Sequence, residues 1–478
     1  MKRSAGSAAE PSALEMQQQF SAAITHHQAG RLSEAEQLYR AMISSGRALP
    51  EVHNNLGILL DQRGDRAGAA AEYRKAIAIN PTDPGALTNL GNALRSLGSA
   101  GEAEVCYRRA LAIKQDHAEA NNNLGMMLSE RGQHADALAC YRKALAANPR
   151  FVDAINNSAV ATRRAGNANE AITLWKQAIA LKSNYVEARV HLADTLADLG
   201  AVEEARQHVL IADKLVIPPR PNVLFALGIA LARCGIRESA IARLRQCLTA
   251  DPFDRFGARL ALAALNEEPV PERASDAFID RLYAIDPDRW DNAADPYPYR
   301  GAEVVAGKVT GDRLDVLDAG CGTGLVGALL RNRSSRLVGI DLSDSMLELA
   351  KRKNIYDELH KGDLLSFMWA RPQSFDVVTC AATLIHFGDL GPAFAAARSA
   401  LRPGGALVFT VFPNEQDADV SVAALDGFGQ GGCFVHGRSH IVDKATVNGF
   451  RVETIEEAVH EYKNGSPIMS LVVVLRKL

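Results

Sequence analysis

Glycine recurs every 34 residues at Gly30, Gly64, Gly98, Gly132, Gly166 and Gly200, and Gly235 continues the series after one inserted residue. Ala35, Ala69, Ala103, Ala137, Ala171 and Ala205 keep the same period, as do Tyr39, Tyr73, Tyr107, Tyr141 and Trp175. Leu56-Gly57, Leu90-Gly91 and Leu124-Gly125 form a fourth register, and Leu227-Gly228 returns later. A fixed period of this length means a stack of like units, because one unit cannot bury its apolar face alone. Each unit reads as two amphipathic helices. In the second copy the first helix covers about Glu51 to Arg63, with Leu56, Leu59 and Leu60 on one face. Gly64 turns the chain, since a residue without Cβ takes a left-handed conformation freely. The second helix runs from about Asp65 to Ile79, and Asn80-Pro81 ends it.

Leu-Gly, Gly, Ala, Tyr, Ala and Pro in this order at a 34-residue period resemble the tetratricopeptide repeat. Seven copies are expected, at about 16–49, 50–83, 84–117, 118–151, 152–185, 186–219 and 221–254, after a disordered N-terminus (1–15). A further register is polar: Asn55, Asn89, Asn123 and Asn157, with Asn54, Asn122 and Asn156 beside three of them. Asparagine is a poor helix former, so its repetition at one position asks for a reason. Its amide both donates and accepts, which suits the backbone of an extended peptide. The pattern resembles the asparagine ladder on the concave face of the repeats in O-linked N-acetylglucosamine transferases, which implies a protein or peptide partner bound there. The bland alternative is that each amide bonds within the stack. The ladder stops at His191.

Between 255 and 300 the period is lost. "RFGARLALAAL" and "ASDAFIDRLYAI" read as helices around an exposed "NEEPVPER" loop. Trp290, Tyr297 and Tyr299 then give an extended segment something to bury. It is either the edge of the next domain, folded over a ligand, or an interdomain packing segment.

From 313 onward short apolar strands alternate with helical patterns, which predicts a doubly wound α/β sheet covered on both faces, in a domain over 301–478. Ligands on such sheets sit at the C-terminal strand ends. "DAGCGTG" (318–324), "GIDLS" (339–343), "KGDL" (361–364) and "LRPGG" (401–405), the last as a helix-to-strand turn, resemble in this order the class I S-adenosylmethionine-dependent methyltransferases, a Rossmann-like fold. The resemblance implies S-adenosyl-L-methionine as cofactor. Gly320, Cys321, Gly322 and Gly324 would cradle it, with Asp318 near its methionine end. Asp341 would accept from the ribose hydroxyls beside Leu342. Asp363 would take the adenine amino group, and Leu364 would pack on the ring. "FDVVTCAATLI" (375–385) reads as the fourth strand, whose end would present Thr379, Cys380 and Ala381 to the methionine side. A tetratricopeptide array fused to such a domain is similar to a subgroup of predicted bacterial methyltransferases. This chain departs from most of the wider family in carrying Ile385-His386 after the fourth strand. His386 is the candidate general base there, with Asp389 a weaker one.

Cys433, His436 and His440 crowd a glycine-rich stretch (426–441) but lack a fourth ligand, so it reads as a mobile lid and no metal is expected. A net charge of −3 and the absence of a basic patch argue against nucleic acid. No apolar run is long enough to span a bilayer. Seven scattered cysteines without a CxxC pair fit reduced thiols, hence a cytoplasmic setting. The expected activity is a methyltransferase whose repeats recruit a protein or peptide. The alternatives are a scaffold with an inactive domain, or a small-molecule methyltransferase whose repeats serve assembly.

Overall fold

The computed structural model describes residues 13–45, 49–215, 220–284, 290–291, 298–414, 420–422, 433–463 and 466–478. The chain divides into two compact units, Met1–Leu181 and Lys182–Leu478.

The first unit is five helical pairs: α1 (Ala13–Gln28) with α2 (Leu32–Ser44), α3 (Pro50–Gln62) with α4 (Arg66–Ile79), α5 (Pro84–Ser96) with α6 (Ala100–Ile113), α7 (Ala118–Glu130) with α8 (His134–Ala147), and α9 (Val152–Arg164) with α10 (Ala168–Leu181). The periodic glycines do what their spacing requires: Gly30, Gly64, Gly98, Gly132 and Gly166 all have φ between +73° and +90°. Caps mark the helix starts. Asp65 accepts from the Gly68 amide at 2.8 Å, and Asp83 from the Gly85 amide at 2.8 Å. The Leu-Gly register has a packing cause. A Cβ on Gly57, Gly91 or Gly125 would stand 2.6, 2.5 or 2.7 Å from the ring of Tyr73, Tyr107 or Tyr141. The aromatic of the second helix therefore lies directly on the glycine of the first, and Tyr39, Tyr107, Tyr141 and Trp175 are all but fully buried.

The second unit opens with two more pairs, α11 (Val186–Asp198) with α12 (Val202–Lys214) and α13 (Pro221–Arg233) with α14 (Arg237–Ala250). The short helices α15 (Ala258–Ala264) and α16 (Asp276–Ala284) follow, where the joining region was expected to be helical. Leu262 packs with α13 and α14. One residue register away, Leu260 packs with Phe278, Ile279 and Phe434, and Tyr283 and Leu342 border that cluster. An apolar path thus runs within this unit from the last helical pair to the sheet domain.

That domain contains α17 (Gly301–Lys308), β1 (Leu314–Ala319), α18 (Leu325–Leu330), β2 (Ser334–Asp341), α19 (Asp344–Arg352), β3 (Glu358–Lys361), α20 (Leu364–Trp369), β4 (Phe375–Cys380), α21 (Gly391–Ala400), β5 (Leu401–Pro413), β6 (Val420–Val422), β7 (Phe434–His436), α22 (Arg438–Val447), β8 (Phe450–Lys463) and β9 (Ser466–Lys477). The strand order is β3-β2-β1-β4-β5-β7-β6, with β9 antiparallel to β5 and to β8. The strands of the central run β3-β2-β1-β4-β5 pair in parallel. Side chains alternate across the sheet. Val316, Leu337 and Val408 face α17 and α18, whereas Leu317, Val338 and Leu407 face α20, α21 and α22.

Three expectations need correction. "LRPGG" is the start of β5 rather than a turn before it. "AATLI" is not part of β4, which ends at Cys380. The stretch read as a lid is partly core: Phe434–His436 is a strand, α22 begins at Arg438, and Phe434 and His436 are fully buried. Glycine content had suggested mobility, but the apolar residues after Cys433 pair with the end of β5. Residues 426–432 of that stretch, residues 1–12, Tyr297, Asn464 and Gly465 lie outside the described residues.

Candidate active site

The loop Gly320–Gly324 leaves β1 at the C-terminal edge of the sheet. The amides of Gly320 and Cys321 donate to the Ile340 carbonyl at 2.8 and 3.0 Å, which ties the loop to the end of β2. Gly320, Gly322 and Gly324 have φ of +76°, +54° and +89°, a region L side chains rarely adopt. At Gly320 a Cβ would also strike the Thr383 hydroxyl at 2.2 Å. Around Gly322 the space is open, and this is where the backbone faces a cleft.

The cleft is lined by Gly320, Cys321, Gly322 and Thr323 from this loop, and by Ile340, Asp341, Leu342 and Met346 from β2 and α19. Gly362 and Leu364 close one end; Ala381, Ala382, Thr383, His386 and Phe387 line the stretch after β4. The Asp341 carboxylate accepts from the Gly322 amide (2.8 Å) and the Ser343 amide (2.9 Å). The Leu342 amide also bonds to it, and of about four lone-pair positions on a carboxylate this leaves room to accept from a ribose hydroxyl. Burial pushes the Asp341 pKa up. Apolar Leu342, Met346 and Leu364 next to that carboxylate suit the flat base of a nucleoside. The donor set fits S-adenosylmethionine: a glycine loop with open space, a hydroxyl acceptor and an apolar slot.

The structure brings Gly320, Cys321, Gly322, Asp341, Leu342 and Leu364 together around the cleft. Five of the expected residues, Asp318, Gly324, Asp363, Thr379 and Cys380, are not among those that line it. Asp318 is 1% exposed and sits behind the loop, where its carboxylate accepts from the Tyr356 hydroxyl (2.7 Å) and the Thr379 hydroxyl (3.1 Å). Burial pushes its pKa up to about 6 despite these bonds. Tyr356 reaches it because Gly327 has no side chain; a Cβ there would be 2.3 Å from the phenol oxygen. Gly324 starts α18 and packs on Tyr356. Asp363 caps α20 through the Ser366 amide (2.8 Å) and holds Nη1 of Arg273 at 2.5 Å. The thiol of Cys380 is buried, its pKa raised by that burial. Thr379 is also fully buried and bonded to Asp318.

Arg273, Ile279, Tyr283, Trp290 and Tyr299 complete the cleft, and all precede the glycine loop in sequence. Trp290 and Tyr299 belong to the joining segment whose aromatics the sequence singled out; the other three had no motif to reveal them. The 272–274 backbone is hydrogen-bonded to the loop after β4: Ala274 N to His386 O at 2.9 Å, and Gly388 N to Glu272 O at 2.8 Å. Asp291 accepts from the Thr323 hydroxyl and from Lys353, both at 2.7 Å, which fixes Trp290 beside the glycine loop. His386 is buried, with Nε2 2.9 Å from the Tyr283 hydroxyl. Burial first, and Arg273 second, hold its pKa down to about 4, so the ring is neutral at pH 7. Asp389 pairs instead with Lys444 at 2.7 Å and is not a lining residue. Among the described residues no group of three or more His, Cys, Asp or Glu is placed to hold a metal ion.

In the first unit the asparagine register forms hydrogen bonds from repeat to repeat. Nδ2 of Asn89 donates to Asn54 (3.0 Å), Asn123 to Asn92 (2.7 Å) and Asn157 to Asn122 (3.0 Å). Asn55 bonds to Tyr39. All four remain partly exposed, and each amide has donors or lone pairs beyond these bonds.

Residues 317–409 match the model of a methyltransferase domain. Residues 84–150 and 162–212 match tetratricopeptide repeat models, and 59–98 a TPR repeat model. A ubiquinone biosynthesis O-methyltransferase of Saccharophagus degradans is 34% identical over 99 residues, 20% of this chain and 42% of its own length. A malonyl-[acyl-carrier protein] O-methyltransferase of Yersinia pestis is 30% identical over 128 residues, 27% of this chain and 45% of its own. The chain therefore spans less than half the length of these curated relatives. Among solved structures, a tetratricopeptide repeat protein from Parabacteroides merdae is 18% identical, with a TM-score of 0.43 over 53% of this chain and 99% of that one. Among the described residues no helix is long and apolar enough to cross a membrane. The chain is a fusion of tetratricopeptide repeats with a class I, S-adenosylmethionine-dependent methyltransferase domain.

Proposed function

We propose that the chain transfers a methyl group from S-adenosylmethionine to an oxygen of an acceptor, with repeats through 254 that recruit a protein or peptide and a catalytic domain that starts at 301. One observation carries the reading: Asp341, held by backbone amides, faces an open glycine loop at the C-terminal edge of a parallel sheet. Oxygen is favoured because the relatives named above are O-methyltransferases.

S-adenosylmethionine, when bound, supplies an electrophilic methyl carbon, so this chain has mainly to align a nucleophile with it. Asp341 would hold the ribose hydroxyls, Gly320–Gly322 would let the backbone approach, and Leu342 and Leu364 would flank the base. Asp318 supports the loop from behind through Tyr356 and Thr379. Trp290 and Tyr299 shield the reacting end from water. Asn55, Asn89, Asn123 and Asn157 would meet an extended peptide on the repeats.

The pairing of asparagines from repeat to repeat favours a second reading, in which the ladder stiffens the stack and the repeats serve assembly around a small-molecule methyltransferase. Lysate incubated with the protein and methyl-labelled cofactor separates the two. Label in a protein band that the repeats retain supports recruitment; label confined to small molecules supports the second reading. No transfer of label to anything contradicts both.

A further inference from the structure

One end of the cleft is lined by rings not assigned to the cofactor, although it borders Leu342 and the glycine loop. Tyr283, Trp290 and Tyr299 line it, none of them from the segment that matches the methyltransferase model. Their rings form a connected wall. Tyr283 and Trp290 have centroids 6.1 Å apart at 42°, and Trp290 meets Tyr299 edge-on at 5.2 Å and 89°. Tyr299 in turn stands edge-on to the buried His460 at 5.1 Å, which fixes its ring plane. At the other side Tyr283 is edge-on to His386, 5.6 Å between centroids, with its hydroxyl 2.9 Å from Nε2. The same hydroxyl lies 3.3 Å from the Ala382 carbonyl. The Tyr283–His386 pair thus sets two polar atoms beside the aromatic carbon of Trp290. The charge of Arg273 is answered by Asp363 and Asp276.

We propose that this end receives a planar ring carrying a hydroxyl, a phenol-type acceptor, and that Tyr283 and His386 take its proton. This rests on the reading of the cleft as a methyltransferase site. The ring lies against Trp290 and Tyr299, where offset or edge-on aromatic contact adds to the gain from burying its area. The hydroxyl donates to the Tyr283 oxygen, which leaves an oxygen lone pair free for the methyl carbon. The step balances. The bond formed is acceptor oxygen to methyl carbon, and the bond broken is methyl carbon to sulfur. The hydroxyl proton passes to Tyr283 as Tyr283 gives its own to His386 Nε2. One positive charge is lost at sulfur as one appears on the imidazole, so the buried site keeps its net charge. Tyr283 touches the acceptor; His386 acts through it and is a positioning and proton-accepting residue. The ring could belong to a free phenol or to a tyrosine side chain, and the chemistry is the same.

The test uses the full-length protein saturated with S-adenosylhomocysteine, after calorimetry has confirmed that the cofactor product binds. Ligand-observed NMR then compares 4-methylphenol, 4-methylanisole and N-acetyl-tyrosinamide. The expected result is binding of a phenol, with the methyl ether weaker by about tenfold, the worth of one hydrogen bond to a buried partner. Binding of 4-methylphenol supports a free ring as the source, and binding of N-acetyl-tyrosinamide alone supports a ring carried by a polypeptide. In Tyr283→Phe the preference for the phenol over its ether disappears. His386→Gln keeps a hydrogen-bond acceptor but no base, so kcat for methyl transfer to the bound phenol falls at least tenfold while KM stays within about twofold. Equal affinity for phenol and ether, or no binding of either phenol by protein that binds S-adenosylhomocysteine, overturns the proposal and leaves the cofactor reading standing. Failure to bind S-adenosylhomocysteine strikes both. Aromatic walls that serve only the sulfonium would bind S-adenosylmethionine more tightly than S-adenosylhomocysteine and bind no phenol, which also overturns it.

Discussion

Replacement of Asp318 by asparagine is expected to stabilise the domain at neutral pH although it alters the aspartate that leads the glycine loop. Asp318 is 1% exposed, and burial raises its pKa from 3.8 to about 6. A carboxyl whose folded pKa is raised binds more protons in the folded than in the unfolded state between those two values. Its stabilising contribution is therefore complete below about pH 4 and is lost as pH rises through 6. A shift of about two units is about 3 kcal/mol, at about 1.4 kcal/mol per unit. Asparagine does not titrate and escapes that loss. It costs about 1 kcal/mol in remade hydrogen bonds, because its amide nitrogen meets the Thr379 hydroxyl, which can turn to the Leu317 carbonyl at 3.3 Å. The variant should thus be weaker than the parent by about 1 kcal/mol near pH 4 and stronger by about 2 kcal/mol near pH 7. Hydrogen exchange of β1 amides in the cofactor-free proteins, measured at matched pH, gives the difference directly. Asp254, whose pKa burial also raises to about 6, and His436 and His460, held down to about 4, titrate in both proteins and cancel. A difference independent of pH, or one that favours the parent as pH rises, refutes the reasoning.

Asp341→Asn should lower S-adenosylmethionine affinity by about tenfold to a hundredfold, the loss of charge-assisted bonds to the ribose, with little change in fold; calorimetry reads it. Gly91→Ala puts a methyl 2.5 Å from the buried Tyr107 ring and should cost about 1–3 kcal/mol before the helix-propensity gain of about 1. Gly101→Ala, in the open first turn of α6, should be neutral or stabilising, and thermal unfolding shows the contrast. Asn89→Ala removes the bond to Asn54 and should cost about 1 kcal/mol. Combined with Asn123→Ala, it should also abolish partner capture if the register binds peptide, and leave capture intact if it only stiffens the stack.

The solenoid was legible because each repeated letter has one local cause. A turn needs positive φ at Gly64, and a close helix contact needs no Cβ at Gly57, whatever the distant surroundings. The cofactor edge was legible for a similar reason: the glycine loop and Asp341 lie on consecutive elements and touch each other. The rest of the site was not, because it is assembled over long sequence distances. Tyr283 meets His386, 103 residues on, and Arg273 meets Asp363, 90 residues on. No spacing rule reports such pairs. Asp318 and Asp363 stand in motif positions whose partners within the chain the motif does not report: a buried hydroxyl pair bonds to one, and Arg273 with a helix cap to the other. The short β7 and the start of α22 were hidden in a glycine-rich stretch whose composition masked the buried Phe434 and Ile441.

The central claim is that the cleft around Gly322 and Asp341 binds S-adenosylmethionine, and titration calorimetry of the full-length protein with that cofactor tests it most directly. The account predicts saturable binding well below 1 mM that weakens in Asp341→Asn. No binding near 1 mM, a limit of about −4 kcal/mol, or equal affinity in the variant, would contradict it.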